Sequence, residues 1–343
     1  MPKKLINWSK KNFSHLPWRE NRTIYRTLVS EIMLQQTTVG TVLNHFERFL
    51  KKFPSIKSLS KASEEELLIE WKGLGYYRRA KNLKKIADQV DKKFNGTIPN
   101  NEDELLSLNG IGPYTANAIL SIGLDKKAIA VDANLERVIS RLYALEDLKG
   151  NALNKKIYQL FNQNKILNYK DISYRDLNEA LMDLGRTYCK TMTVECQNCP
   201  MSTHCLAYKK REQLKFPVQK NQKKESYEIE LVRFVVNKSN KILAYEKSER
   251  EWLHGQWELP TFILSTNDKK LNQYPYLSKK IDLKNAITFK TGITKYKITN
   301  YVVKLKHDEF KKITESKKYM FKEINRESNL STASTKALAK IKL

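Results

Sequence analysis

The sequence predicts a multidomain α plus α+β chain: an all-α region over residues 1–210, a linker over 211–227 and an α+β domain over 228–343. Three observations predict it. Apolar residues recur at three- and four-residue spacing in the first region. Alternating, β-branched stretches appear only after it. Between the two, KKREQLKFPVQKNQKKESYE is polar, charged and carries one proline, as linkers do. At 343 residues and 41% hydrophobic, the chain is long enough to bury two cores.

The elements follow in order. LVSEIMLQQTTVGTVLNHFERFLKKF and TANAILSIGL carry helical periodicity. SKASEEELLIEW opens with a serine followed by glutamates, a helix N-terminus. Glycine breaks fall at KGLGYY and NGIGPY. In LNGIGPYTANAIL, Gly110 and Gly112 permit a tight turn, and Pro113 begins a helix whose free N–H groups attract an anion. In AVDANLERVISR, Asp132 can cap the helix that follows it. Tyr227–Val236 and ITKYKITNYVVKLK read as strands.

The net charge is +26, divided as +12 over residues 1–210 and +14 over 211–343. Both halves thus suit a polyanion, nucleic acid above all. No apolar run reaches the ~18 residues of a membrane span, and the start MPKKLINWSKKNF lacks the apolar core of a secretory signal. A reducing compartment, the cytoplasm, is expected, and it disfavours disulfides.

All four cysteines lie in CKTMTVECQNCPMSTHC, at Cys189, Cys196, Cys199 and Cys205. Four thiolates hold zinc or an iron–sulfur cluster. Four-cysteine zinc sites usually show two C-x2-C knuckles, whereas this segment has one between longer gaps, which favours [4Fe–4S]. The spacing is that of the endonuclease III superfamily of DNA glycosylases. LNGIGPYTANAIL resembles that superfamily's helix-hairpin-helix motif, L-P-G-[VI]-G-x-x-T-A, with Asn109 in the place of proline. AVDANLERVISR resembles its V-D-x-N-[VL]-x-R-V segment.

Within that superfamily, LPWRENRTIYRTLVSEIMLQQTTVGTV, WKGLGYYRRAKNL and NEALMDLGRTYC closely resemble stretches of the MutY adenine glycosylases, and the matches are collinear over about residues 16–210. The resemblance implies an all-α helix-hairpin-helix glycosylase with a [4Fe–4S] loop, acting as a monomer on duplex DNA. The implied reaction releases adenine paired with 8-oxoguanine or with G. Glu31 is implied as general acid and base, and Asp132 as stabiliser of the sugar cation, with Asn134 and Tyr114 supporting Asp132. Gln36 and Tyr76 are implied to wedge the base stack. Arg19 and Glu179 are implied to contact the extruded adenine, with Trp18 nearby. Gly110 and Gly112 are implied to hold a DNA phosphate. Bifunctional relatives place a Schiff-base lysine where this chain has Tyr114, which implies a glycosylase without strand cleavage.

EREWLHGQWELP resembles part of the MutY C-terminal domain, which has a Nudix-like fold without the pyrophosphatase signature here. That domain reads 8-oxoguanine through an F-S-H hairpin, whose place is taken here by Ile293, Thr294 and Lys295. Two rivals compete: another glycosylase, opposed by Tyr114 and Glu31, and a non-catalytic iron–sulfur DNA sensor, which would need neither Glu31 nor Asp132.

Overall fold

The computed structural model describes residues 2–166, 172–218, 225–314, 316, 318–324 and 328–341. The chain forms two compact units, Met1–Glu70 with Leu74–Asn221, and Trp71–Gly73 with Gln222–Leu343.

The first unit is helical. Its helices are α1 (Pro2–Phe13), α2 (Pro17–Glu20), α3 (Ile24–Leu34), α4 (Val39–Lys52), α5 (Ile56–Lys61), α6 (Glu64–Glu70) and α7 (Arg78–Phe94). They continue as α8 (Glu102–Leu106), α9 (Pro113–Ala118), α10 (Ala133–Tyr143), α11 (Asn151–Asn162), α12 (Tyr174–Thr187) and α13 (Leu206–Lys209). Short polar side chains set many of the starts: Thr23, Thr38, Ser55, Asn101, Asp132 and Ser173 each accept a hydrogen bond from a first-turn backbone N–H. Ser63 and Glu66 form the reciprocal pair expected of SKASEEELLIEW, backbone N–H to side-chain oxygen in both directions.

The window LVSEIMLQQTTVGTVLNHFERFLKKF forms two helices. It breaks at Gln35–Thr38, because Thr38 caps α4 and Gln36 adopts φ +54°. Part of the stretch expected as a linker, 211–227, is folded against the first unit. Gln213–Lys215 form a 3-10 turn, Phe216 is buried in the first unit's core, and Nε of buried Arg141 donates to its carbonyl oxygen at 2.9 Å. An aromatic side chain inside a polar run supplied the apolar area that the composition of the stretch concealed. Residues 219–224 of that expected linker lie outside the described residues.

Helix α3 sits deep, with residues 27–33 all buried. It is a core helix rather than an amphipathic one. In the hairpin, α8 and α9 flank a turn at Gly110, whose φ of +106° only glycine adopts without strain. Helix α9 runs on into a π-helical turn, Ile119–Gly123. Helices α1, α10 and α12 share a core built around Leu5, Leu135, Val138, Leu177, Leu181 and Leu184.

The second unit is a seven-stranded sheet: β1 (Tyr227–Lys238), β2 (Lys241–Glu246), β3 (Trp257–Glu258), β4 (Thr261–Thr266), β5 (Ile287–Ile293), β6 (Tyr296–Leu305) and β7 (Met320–Glu323). The order is β3-β2-β1-β6-β5, with β4 paired to β1 and β7 to β2. Strands β1 and β6 run parallel, from Tyr227 opposite Tyr296 to Val236 opposite Leu305. Residues 231–236 of β1 are buried on both faces, which makes it the core strand. α14 (His307–Lys311) and α15 (Thr332–Lys340) complete the α+β unit. A buried ion pair joins Arg233 to Glu258; Arg233 also donates to Asn300, and Oε1 of Glu258 accepts from Ser331 and Ser334. Strands β5 and β6 close in a two-residue turn, with Thr294 at φ +49°. Ile293 is half-buried against the core, while Thr294 and Lys295 are exposed. The Lys295 ammonium lies 4.5 Å from the Tyr227 ring centre and 3.6 Å from Glu225.

Candidate active site

A cavity of about 970 Å³ opens in the first unit, lined by Trp18, Arg19, Glu31, Gln36, Tyr114, Asp132, Asn134 and Glu179 among others. Residues spread over 162 positions of sequence thus meet at one place. Besides the four cysteines, three candidates do not line it. Tyr76 is exposed, with φ +47°, and Gly110 and Gly112 form the hairpin turn.

Glu31 is the most perturbed carboxyl of the cavity. It is 5% exposed. Burial pushes it up to about 7, against the opposing Tyr114 hydrogen bond and with the charges of Asp132 and Glu179 adding to the rise. Tyr114 Oη donates to Oε2 of Glu31 at 2.5 Å. Burial, followed by the Glu31 and Asp132 charges, holds the phenol well above its ordinary range, so it stays a donor. Tyr114 was expected to support Asp132; its hydrogen bond goes to Glu31 instead, because α9 lies directly against α3.

Asp132 caps α10. Its Oδ1 accepts from the backbone N–H groups of Asn134 and Leu135 at 2.9 and 2.8 Å. Its Oδ2 accepts from Nδ2 of Asn134 at 2.8 Å. These bonds hold the carboxylate rigidly at the helix N-terminus, where the dipole favours its negative charge. Asn134 is fixed in turn: its Oδ1 accepts from Arg137 Nη2 at 2.9 Å, and Arg137 Nε donates to the Cys189 carbonyl at 2.7 Å.

Arg19 donates twice to Asp183, at 2.9 and 3.1 Å, and Arg22, outside the cavity lining, donates twice to Glu179, at 2.5 and 3.1 Å. Arg19 Nε lies 3.5 Å from Glu179. The four charges form one ion network in which each carboxylate has a bidentate partner. Trp18 is buried edge-on against Phe46, with ring centres 5.6 Å apart.

Comparison with known proteins decides the family. The profile of the HhH-GPD superfamily of base excision DNA repair proteins matches residues 29–164. An adenine DNA glycosylase of Buchnera aphidicola from Acyrthosiphon pisum is 33% identical over 276 residues, which is 78% of this chain and 77% of that one. A human adenine DNA glycosylase is 34% identical over 219 residues, 61% of this chain and 39% of its own length. The solved structure of a thermostable thymine-DNA glycosylase superposes with a TM-score of 0.54 at 30% identity, covering 61% of this chain and 95% of that one. This chain belongs to the adenine DNA glycosylases.

It is therefore a DNA glycosylase of base excision repair, and its cysteine loop must be read in that setting. Cys189, Cys196, Cys199 and Cys205 line one small cavity beside α10 and α12. Among the described residues, no three potential ligands converge as they would on a single metal ion. Three of the four sulfurs face N–H donors: Arg141 Nη1 at 3.4 Å from Cys189, Met201 N at 3.4 Å from Cys199, and Gln213 Nε2 at 3.6 Å from Cys196. Burial, and the other thiols after it, pushes Cys199 up to about 12. Four thiols gathered in one cavity, three of them facing N–H donors, are the donor set that an iron–sulfur cluster takes.

Sequence reasoning about this adenine glycosylase missed its structural arginines. Arg22, Arg79, Arg137 and Arg141 each make at least two hydrogen bonds that position site elements, and the latter three are buried. A signal was present for Arg137 and Arg141: they fall four apart on one face of α10, a helix that is otherwise largely buried. Arg79 lies within the motif WKGLGYYRRAKNL, but four of its six partners, Ile32, Met33, Gln35 and Thr37, are more than 40 residues away, so its role is not readable there.

Proposed function

We propose that this chain hydrolyses the N-glycosidic bond of adenine mispaired with 8-oxoguanine, and with G, leaving an intact abasic site. The observation that carries the reading is the meeting of Glu31, near neutral pKa and bonded to Tyr114, with the helix-capped carboxylate of Asp132 in one cavity.

The chemistry follows from those roles. Protonated Glu31 delivers its proton to N7 of the extruded adenine. The C1′–N9 bond then breaks, its electron pair leaving with the base, and positive charge develops on the sugar. Asp132, anionic and rigid, stabilises that cation. Glu31, now a carboxylate, takes a proton from water, whose oxygen bonds to C1′. Trp18, Arg19 and Glu179 form the wall that receives adenine. Gln36 and Tyr76 occupy the gap left in the stack. The hairpin at Gly110 and Gly112 grips a phosphate without reading sequence. Tyr114 supplies no amine, so no Schiff base forms and the strand stays uncut.

Cys189, Cys196, Cys199 and Cys205 would hold a [4Fe–4S] cluster, which supplies a cross-link for the loop after α12. The second unit is proposed as a Nudix-like lesion-reading domain, with Thr294 and Lys295 at its recognition turn. A monomer working on cytoplasmic duplex DNA completes the reading.

Single-turnover incubation with A:8-oxoguanine, A:G, T:G and 8-oxoguanine:C duplexes tests it. Nicking of the adenine strand only after hot alkali, fastest opposite 8-oxoguanine, is expected. Nicking without alkali would overturn the Tyr114 argument. Equal rates opposite 8-oxoguanine and G would remove lesion reading from the second unit.

A further inference from the structure

Gln36 and Tyr76 sit on two loops far apart in sequence, and both adopt left-handed φ, +54° and +47°. Neither residue is glycine, so both loops store backbone strain that something must hold. What lies between them is the guanidinium of Arg79, 8% exposed. Its Nη1 reaches the carbonyl oxygens of Ile32 at 2.9 Å, Met33 at 2.7 Å and Gln35. Its Nη2 reaches Thr37 Oγ1 at 2.8 Å and the carbonyls of Leu74 at 3.0 Å and Gly75 at 3.2 Å. The Tyr76 ring lies 5.5 Å from the guanidinium carbon.

One nitrogen therefore serves the frayed C-terminus of α3 and the residue before Gln36. The other ties the residue after Gln36 to the two residues before Tyr76. We infer that Arg79 is a positioning residue that locks both wedge residues into one preorganised unit, so that base extrusion does not require ordering two loops separately. The inference rests on the proposed wedge role of Gln36 and Tyr76. Physically, a planar fork can span six oxygens on two segments, whereas a lysine ammonium offers three donors around a point. Rigid presentation matters because a loop that must order during extrusion lowers the population competent to extrude.

The test uses the full chain and four proteins: parent, Arg79→Lys, Gln36→Gly/Tyr76→Ala, and all three changes together. Single-turnover adenine release is measured on an A:G duplex, and on one in which the adenine lies in a bulge already unstacked from its neighbours. Hydrogen exchange checks that the rest of the helical unit is intact. Arg79→Lys should slow release roughly 10- to 100-fold on the paired duplex. It should cost less than about threefold on the bulged one, with faster exchange confined to 35–37 and 74–76. Added to the double wedge variant, it should cost little more. Equal slowing on both duplexes would overturn the inference, marking a general structural defect. A full multiplicative loss on top of the wedge variant would overturn it while leaving the wedge reading intact. A wedge variant as fast as the parent would overturn the wedge reading, and this inference with it. If Arg79→Lys fails to fold, Thr37→Val, which deletes one oxygen of the six, carries the same duplex comparison: a loss on the paired duplex alone supports the inference, and equal loss on both overturns it.

Discussion

Tyr114 Oη and Glu31 Oε2 stand 2.5 Å apart although 83 residues separate them in the chain. The phenol is the donor, and its hydrogen bond favours the charged carboxylate while burial favours the neutral acid. The opposition of these two effects leaves Glu31 near pH 7, where an acid can both give and take a proton.

Tyr114→Phe removes the influence that lowers the Glu31 pKa, so the carboxyl should titrate higher. If release uses the protonated form, as proposed, its rate in the parent is expected to fall as pH rises through about 7. In Tyr114→Phe that falling limb should move to higher pH. A pH profile of single-turnover release measures it; an unmoved limb would mean that another group sets the profile.

Glu31→Gln should abolish release and change the pH dependence of stability. Folding raises the Glu31 pKa from 4.5 to about 7. Its protonated form is thus favoured by the fold. The stability it contributes is complete below pH 4.5 and is lost as pH rises through about 7. The glutamine variant lacks that loss, so above pH 7 it should be more stable than the parent, by up to about 3 kcal/mol. Denaturant melts at pH 6 and pH 8 check this, and the advantage must be larger at pH 8.

Asp132→Asn should separate capping from catalysis. Asparagine caps helices about as well as aspartate, so stability should change by less than about 1 kcal/mol. The charge proposed to stabilise the sugar cation is gone, so release should fall by roughly 10²- to 10³-fold or more. Melting temperature and single-turnover rate, measured on one preparation, test both halves.

Gly185→Ala should act on Asp132 at second hand. A Cβ at Gly185 would lie 3.2 Å from Asn134 Cβ and 3.3 Å from Val138 Cγ2. Asn134 would have to shift, and with it the hydrogen bond that its amide gives Asp132. The expected outcome is a stability loss of about 1–3 kcal/mol and a lower release rate with unchanged duplex affinity. Weakened binding at an unchanged rate would mean that the helix packing, not Asn134, carries the effect.

Some of the site was legible locally. Asp132 as a helix cap, the glycine turn before Pro113, the Ser63 helix start and the β-strand from Tyr227 all follow from interactions among residues a few positions apart. The four cysteines were legible because seventeen residues hold them all. Phe216 shows the opposite case: polar neighbours made its segment read as linker, and only packing revealed a core residue.

The sequence by itself determined where helices start, where turns fall and which residue types are present, because those depend on short-range stereochemistry and hydrogen bonding. Only the tertiary structure decided that Tyr114 bonds to Glu31 rather than to Asp132, that Arg22 holds Glu179, and that Arg79 ties two loops together. The reason is physical. The acidity of Glu31 is set by the water excluded around it and by charges drawn from distant segments, and neither quantity exists until the chain has folded.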